Sequence, residues 1–272
     1  AELFCKGIIE DVVQKYREIE RIHVGSYFCS QYFLNINFVE QLKFFCLAHN
    51  CSIVLVIPIV SEKDLWNAKS KIKDLIQSLP IDEITVNDFG MAEYISKNYS
   101  IPINFGRLFF KDARDIRITD YYQSKLTPAF LNAISVYRDL YHINGIELDS
   151  ISQKIDLKEV DDIRISLHEP FCYLTTGNIC KFASIPKPFQ KKFRPNVSCS
   201  CNCLQVFEIY EQVNHRIPDQ VFYRIGRTIY FHAESPMIQC NQPIHKIYFP
   251  FEETVQLIKE RTVDNENPRS SK

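Results

Sequence analysis

Glycine is scarce, with seven in 272 residues. No G-x-G-x-x-G run and no P-loop can be assembled from them, which removes nucleotide binding by those routes. A G-x-S-x-G elbow is missing too, so the chain offers no serine of the α/β-hydrolase kind. His168-Glu169-Pro170 begins like a zinc-protease motif but lacks the second histidine, and its proline would stop the helix that the motif needs. No apolar run approaches the roughly 20 residues that span a bilayer. Neither sign of charge dominates: 32 Lys and Arg stand against 33 Asp and Glu, a formal net of -1. Nucleic acid or an anionic membrane would therefore be attracted only by a local patch. There is no repeat of fixed period and no low-complexity tract. No basic start with an apolar leader run opens the sequence, so the expectation is a cytoplasmic protein with reduced thiols and no membrane span.

Cysteine, by contrast, is plentiful and unevenly placed. Of ten cysteines, Cys199, Cys201 and Cys203 alternate within Ser198-Cys199-Ser200-Cys201-Asn202-Cys203, in a stretch that reads as loop. Cys180 lies shortly before them, and Cys29 sits just past an expected first strand. Thiols packed this tightly in a loop are poor core residues and good ligands for iron or zinc. Cys46, Cys51 and Cys240 read instead as small buried hydrophobes.

The rest of the chain alternates short apolar runs with amphipathic stretches. Arg21 to Gly25, Ser52 to Ile57, Ile81 to Val86, Ile101 to Phe105 and Ile143 to Leu148 are expected strands, with another over Ile163 to Leu167. Ser52-Ile53-Val54-Leu55-Val56-Ile57 is apolar almost throughout, as in a strand covered on both faces of a parallel sheet. Helical spacing is expected over Asn37 to Ala48, Asp88 to Asn98 and Thr127 to Leu140, and Ser61 with Asp64 suggests a capped helix start. Five β/α steps with short connections imply an α/β fold, a TIM-like parallel β/α barrel, incomplete or irregular, since an eighth strand is not assigned. Strand-like runs at Cys172 to Thr175, Val206 to Tyr210, Val221 to Ile225 and Thr228 to Phe231 suggest a small β-rich C-terminal cap, with a hairpin at Ile225-Gly226-Arg227. Ile244 to Phe249 and a helix to Arg261 would return to the barrel. The organisation expected is one structural domain: a barrel body with an N-terminal helix over 1–170, then cluster loop, cap and return over 171–262, then a disordered tail over 263–272.

Active sites of parallel α/β folds lie at the carboxyl ends of the strands. There the sequence places Cys29, Asn87 with Asp88, Arg107, Asp149 and Cys180. Glu147 and Asp149 alternate with Ile146 and Leu148, so both carboxylates face one side of their strand. If that side is the barrel interior they need partners, and Arg107, Arg114 and Arg117 are candidates. Asn87, Asp88, Arg107, Glu147 and Asp149 are the candidate catalytic residues. The plainer alternatives are that Asp88 caps a helix and that the arginines form a solvated network with Asp115. Lys187, Lys191, Lys192 and Arg194 form a basic stretch beside the cysteines, either a solvated loop or a contact for RNA phosphate or an anionic substrate.

Gly25-Ser-Tyr-Phe-Cys29, Val86-Asn87-Asp88-Phe89-Gly90, Gly106-Arg107-Leu108 with Asp112-Ala-Arg114-Asp115-Ile-Arg117, Gly145-Ile-Glu147-Leu148-Asp149 and Thr175-Thr176 ahead of Cys180 follow one another in an order that resembles the peptidase U-32, or collagenase-like, family. The similarity covers roughly residues 20 to 205 and lies nearest the small accessory proteins of oxygen-independent ubiquinone hydroxylation. It implies a barrel-like fold and a 4Fe-4S cluster, with Cys29, Cys180, Cys199 and Cys203 as ligands. Cys201 is an extra thiol and an alternative ligand, and zinc is the alternative metal. The chain has Gly177-Asn178-Ile179 where related chains commonly place an arginine before the cysteine matching Cys180.

Three functions follow from the resemblance. The first is hydroxylation, or a related modification, of a quinone precursor or RNA base, with arginines such as Arg107 holding a small carboxylate. The second is a non-catalytic subunit with a structural cluster, in a heterodimer with a second family member. The third is a peptidase, for which the sequence supplies neither a nucleophile–base pair nor a catalytic zinc site. Whether the chain is itself an enzyme or an accessory subunit stays open at this point.

Overall fold

The computed structural model describes residues 19–110, 131–149, 155–195, 197, 199, 201, 203, 207–214, 217–232 and 238–250. The expected N-terminal helix, most of the loop through Arg114, Asp115 and Arg117, the start of the helix at Thr127, the helix to Arg261 and the tail over 263–272 lie outside the described residues.

β1 (Arg21–Gly25) leads into α1 (Ser30–Leu34) and α2 (Val39–His49). β2 (Ser52–Ile57) is followed by α3 (Leu65–Ser78), and β3 (Ile81–Val86) by α4 (Phe89–Asn98). β4 (Ile103–Phe105) precedes a helical segment over 131–141, here α5, and β5 (Gly145–Asp149) closes the regular alternation. β6 (Ile155–Asp156), β7 (Arg164–Glu169) and β8 (Phe171–Thr176) follow, then the short α6 (Lys181–Ser184). The chain continues through β9 (Phe207–Asn214), β10 (Ile217–Ile225), β11 (Thr228–His232), β12 (Ile238–Gln239) and β13 (Ile244–Tyr248).

Seven strands make one parallel sheet in the order β1-β2-β3-β4-β5-β7-β13. β8, β11, β10 and β9 form a separate antiparallel sheet, the β-rich cap, and β12 pairs with β6. The parallel sheet is curled. His23 on β1 comes within 3.8 Å of Glu147 on β5, whereas four strand steps across a flat sheet would separate them by roughly 19 Å. The last strand returns towards the first, with His245 on β13 at 3.8 Å from Glu20 just ahead of β1. The molecule is thus a mixed α/β fold on a curled, half-barrel sheet.

The apolar run in β2 explains its place, because every residue from Ile53 to Ile57 is buried. Its outer face packs under α2 and α3, whose inward stripes are Leu42, Phe45 and Cys46 in one and Ala68, Ile72 and Leu75 in the other. Cys46 and Cys51 are both buried, and the Cys51 N–H closes the end of α2 on the Cys46 carbonyl (3.3 Å) past Asn50, which is left-handed at φ 50. The two thiols thus make the apolar contact usual in this type of helix ending.

Two sequence expectations need correction. Ser61 does not accept an N–H as a helix cap; its hydroxyl donates to the Asp64 carboxylate (3.0 Å), and a short 3-10 turn over Glu62–Asp64 precedes α3. β4 starts at Ile103 rather than Ile101, since Pro102 has no N–H for the ladder and contributes only its carbonyl, which accepts from Ile84 (2.9 Å).

Candidate functional site

The first strand delivers Cys29 to the carboxyl end of the sheet through a tight turn. Gly25 has φ +134, and a Cβ there would lie 2.0 Å from the Val56 carbonyl oxygen, so only glycine fits. The next residue anchors the turn: the Ser26 N–H donates to that same oxygen (3.2 Å), while Ser26 Oγ accepts the N–H groups of Phe28 (3.3 Å) and Cys29 (2.9 Å). Cys29 then stands at the N-terminus of α1. Burial pushes its thiol up, opposed by backbone N–H donation at Tyr32 and by the charge of Arg227, while Cys199 adds to the rise.

Cys180 repeats this arrangement after β8, heading α6, with its carbonyl accepting from Ser184 Oγ (2.9 Å). Cys199, Cys201 and Cys203 come to the same place. Burial, then the Cys29, Cys180 and Cys199 thiols, push Cys203 up to about 12. A hydrogen bond from Cys201 pulls Cys199 down to about 6, helped by Lys187 and Arg227, and Cys201 is pushed up in return. Cys201 is buried and left-handed at φ 58. All five sequence-selected thiols are therefore neighbours. They do not form a closed shell: among the described residues, no group of three or more His, Cys, Asp or Glu side chains is placed to hold an ion.

The β10–β11 hairpin completes the rim, and sequence reading missed its role. Gly226 packs against Cys203, where a Cβ would sit 3.5 Å from the sulfur. Arg227 at the tip donates to Asn178 Oδ1 (2.6 Å), just ahead of Cys180, and its Nε is buried with no acceptor among the described residues. As a turn residue Arg227 carried no sequence signal, since its partners come from distant segments. A thiol-only donor set beside a guanidinium with an unused N–H fits an anionic, sulfur-ligated group.

Beneath the rim lies an aromatic layer. Phe28, Phe171, Tyr173 and Tyr230 form a buried cluster joining the two sheets, with Phe28 at 4.9 Å from Tyr173 and 5.9 Å from Tyr230 between ring centres. Arg107 is boxed in under it, its guanidinium 5.3 Å from the Tyr173 ring and 5.7 Å from that of Phe28. One guanidinium nitrogen donates both to Asp149 and to the Phe171 carbonyl, the latter at 3.1 Å. Arg107 thus gives one nitrogen to internal partners, while its buried Nε, like that of Arg227, has no acceptor among the described residues.

Glu147 lies deeper and is buried. It accepts from Thr85 Oγ1 (2.6 Å) and His168 Nε2 (2.9 Å), with His23 Nδ1 at 3.8 Å. Its expected arginine partner is replaced by two histidines and a threonine. Burial lowers His23 to about 4 against the pull of Glu147, and burial with Arg107 drives His168 well below the ordinary histidine range, so both rings are neutral. Tyr27 links the levels, with its hydroxyl 2.8 Å from His23 Nδ1 and its ring edge-on to His168 at 4.7 Å. One level further down, Glu83 pairs with Arg164 and accepts from Asn104 (2.9 Å). These bonds hold it below the usual carboxylate range although burial acts upward.

Asn87 and Asp88 are placed for structure. Asp88 caps α4 by accepting the Met91 N–H (2.7 Å). The Asn87 amide donates to the Ile57 carbonyl (3.0 Å), and its oxygen lies so near Gly106 that a Cβ there would meet it at 2.3 Å. Of the five candidate catalytic residues, the structure thus gathers Arg107, Glu147 and Asp149 inside the sheet and leaves Asn87 and Asp88 as braces of the turn after β3.

No protein-family model matches the chain, and comparison with curated proteins and with solved structures finds no match. The fold and site define a curled α/β sheet whose rim carries five convergent thiols. Among the described residues, no helix is long and apolar enough to cross a membrane.

Proposed function

We propose that this protein is an incomplete TIM-like barrel of the peptidase U-32 kind, in which Cys29, Cys180, Cys199 and Cys203 hold a 4Fe-4S cluster used in oxygen-independent hydroxylation or a related modification. A quinone precursor or an RNA base is the substrate class that the sequence resemblance implies. The observation that carries this reading is the Cys203 thiol, which is influenced by those of Cys29, Cys180 and Cys199, the same four residues that the family motif selects.

When bound, such a cluster supplies electron transfer or a Lewis-acidic iron. The chain's own residues provide the surroundings. Lys187 and Arg227 add positive charge where thiolates must form, and the Phe28, Tyr173 and Tyr230 layer keeps water from the barrel side. Thiolates alone also suit zinc, which is the competing metal.

One observation favours a second reading, an accessory subunit with a structural cluster. Arg107 is buried and already gives one guanidinium nitrogen to Asp149 and the Phe171 carbonyl, which leaves its Nε rather than a free two-pronged face without an acceptor among the described residues.

Anaerobic purification with iron, sulfide and zinc analysis tests the centre. Iron and acid-labile sulfide in equal amounts are expected, retained in Cys201→Ser and lost in Cys180→Ala and Cys203→Ala. One zinc without sulfide would replace the cluster with a zinc site, and metal-free protein would end the proposal. Peptide cleavage surviving loss of these cysteines would revive the protease reading. Copurification of a second barrel protein would favour the subunit reading.

A further inference from the structure

The segment over 179–194, next to the thiol rim, combines two properties that a solvated loop does not need together. Phe182 anchors it in the core, but four other large apolar side chains face outward, with Phe189 exposed to 86%, Ile185 to 59%, Phe193 to 58% and Ile179 to 49%. Its charge is of one sign, since no Asp or Glu occurs between Glu169 and Glu208 while Lys181, Lys187, Lys191, Lys192 and Arg194 do. Lys181 is used internally, paired with Glu208. Among the described residues no ion pair involves Lys191, Lys192 or Arg194, although the chain as a whole is close to neutral.

The segment is also held in shape. Lys191 and Lys192 N–H groups close a 3-10 turn on Pro188 (2.9 Å) and Phe189 (3.2 Å), and the Arg194 guanidinium donates to the Gln190 carbonyl (3.0 Å). Phe193 is left-handed at φ 53, an unfavourable conformation for a bulky residue. It is fixed there by its N–H donating to Ser184 Oγ (3.0 Å). That same hydroxyl donates to the Cys180 carbonyl (2.9 Å), so the exposed turn and the thiol rim share one anchor.

We propose that this turn docks the protein on an anionic phospholipid bilayer. Phe189, Phe193, Ile179 and Ile185 would enter the boundary between headgroups and acyl chains, while Lys191, Lys192 and Arg194 meet the lipid phosphates. Single-stranded RNA is the other polyanion that aromatic and basic residues can bind, by stacking bases on rings. It is disfavoured because two of the four exposed apolar side chains are branched aliphatics with no face to stack. Docking would bring the Cys180 side of the rim to the membrane interface. The proposal does not depend on which metal, if any, the thiols hold.

Co-sedimentation of the full chain with vesicles decides it, using phosphatidylcholine alone and an equal mixture of phosphatidylglycerol and phosphatidylcholine. Binding is expected only to the mixture, weakening with added salt. Charge reversal at Lys191, Lys192 and Arg194 to Glu should reduce binding on the order of 100-fold or more. Phe189→Ser with Phe193→Ser should reduce it about tenfold per residue. All five positions lie on the exposed turn, and matching far-UV circular dichroism and thermal midpoints exclude unfolding as the cause. Absence of binding to the mixture, binding unchanged by either variant, or retention of a single-stranded RNA oligomer with no vesicle binding would each overturn the proposal. Iron content is expected to be unchanged in both variants, so failure here and failure of the cluster reading are separate results.

Discussion

At the scale of single residues, the interior is governed by the difficulty of burying charge. Arg107 and Asp149 are both buried and pair with each other under a roof of aromatic rings. Removing one partner strands the other, so Asp149→Asn is expected to cost about 3–5 kcal/mol, whereas replacing both, as in Arg107→Met with Asp149→Leu, should lie much closer to neutral. Urea unfolding of the two variants provides the comparison, and equal losses would mean that the pair is not the unit. The two histidines beside Glu147 give a pH signature. An unfolded histidine takes its proton near pH 6.5, but His23 in the folded protein does so only near about 4. Between those values the unfolded chain binds more protons, so stability falls as the pH falls through this window, by at most about 3 kcal/mol from His23. His168 shifts in the same direction. Unfolding free energy measured from pH 7 downward should decline before carboxylates titrate. The decline should shrink in His23→Gln and shrink further in His23→Gln with His168→Gln, leaving a remainder to which His245, also lowered by burial, contributes; a double variant with the parental slope would assign the effect elsewhere.

At the scale of elements, β1, β2 and β3 could be read to the residue, because Ser52 to Ile57 is a bounded apolar run and Arg21 to Gly25 and Ile81 to Val86 are short β-branched segments that interleave polar and apolar residues, signals that are local. β9 runs to Asn214 rather than Tyr210, since Glu211 and Gln212 hide a strand that pairs on one side only. β6 and β12, two residues each, have no pattern long enough to detect. The five thiols were legible as a group because loop cysteines have few other reasons to crowd. Arg227, His23 and His168 were not, because what defines them is contact across the curled sheet or between sheets. The turn after β1 joins the two levels. Gly25→Ala would drive a Cβ into the Val56 carbonyl, and a loss of about 3 kcal/mol is expected. Because Ser26 bonds that carbonyl and cradles Cys29, the variant should also lose iron, whereas Gly177→Ala, where a Cβ meets nothing within 4 Å, should keep both stability and iron. Denaturation midpoints alongside iron analysis separate the two, and an iron-replete Gly25→Ala protein would detach Cys29 from the centre.

For the whole molecule, the consequence of the thiol site is mechanical. The parallel sheet and the antiparallel cap are joined by the Phe28, Tyr173 and Tyr230 contacts, by Arg107 reaching the Phe171 carbonyl, and by the rim where Cys29 from one sheet meets Cys180 and Cys203, which stand against the other. The first two connections persist whatever the thiols hold. The third becomes covalent only when an inorganic centre binds sulfurs from three stretches of chain, and binding that requires the folded arrangement adds its free energy to folding. That stabilisation must be concentrated where the ligands sit. The β10–β11 hairpin packs its Gly226 on Cys203 and ties its Arg227 to the loop before Cys180, so its amides should exchange hydrogen more slowly in the loaded protein. The buried strands β2 and β3, which carry none of the five thiols, should exchange alike with and without the centre. Hydrogen–deuterium exchange on anaerobically prepared protein, before and after chelation, measures both regions in one experiment. Slower exchange confined to the hairpin and the Cys180 loop is the expected result. Uniform protection, or none, would mean that the thiols do not join the cap to the barrel, and the cluster would lose its structural role.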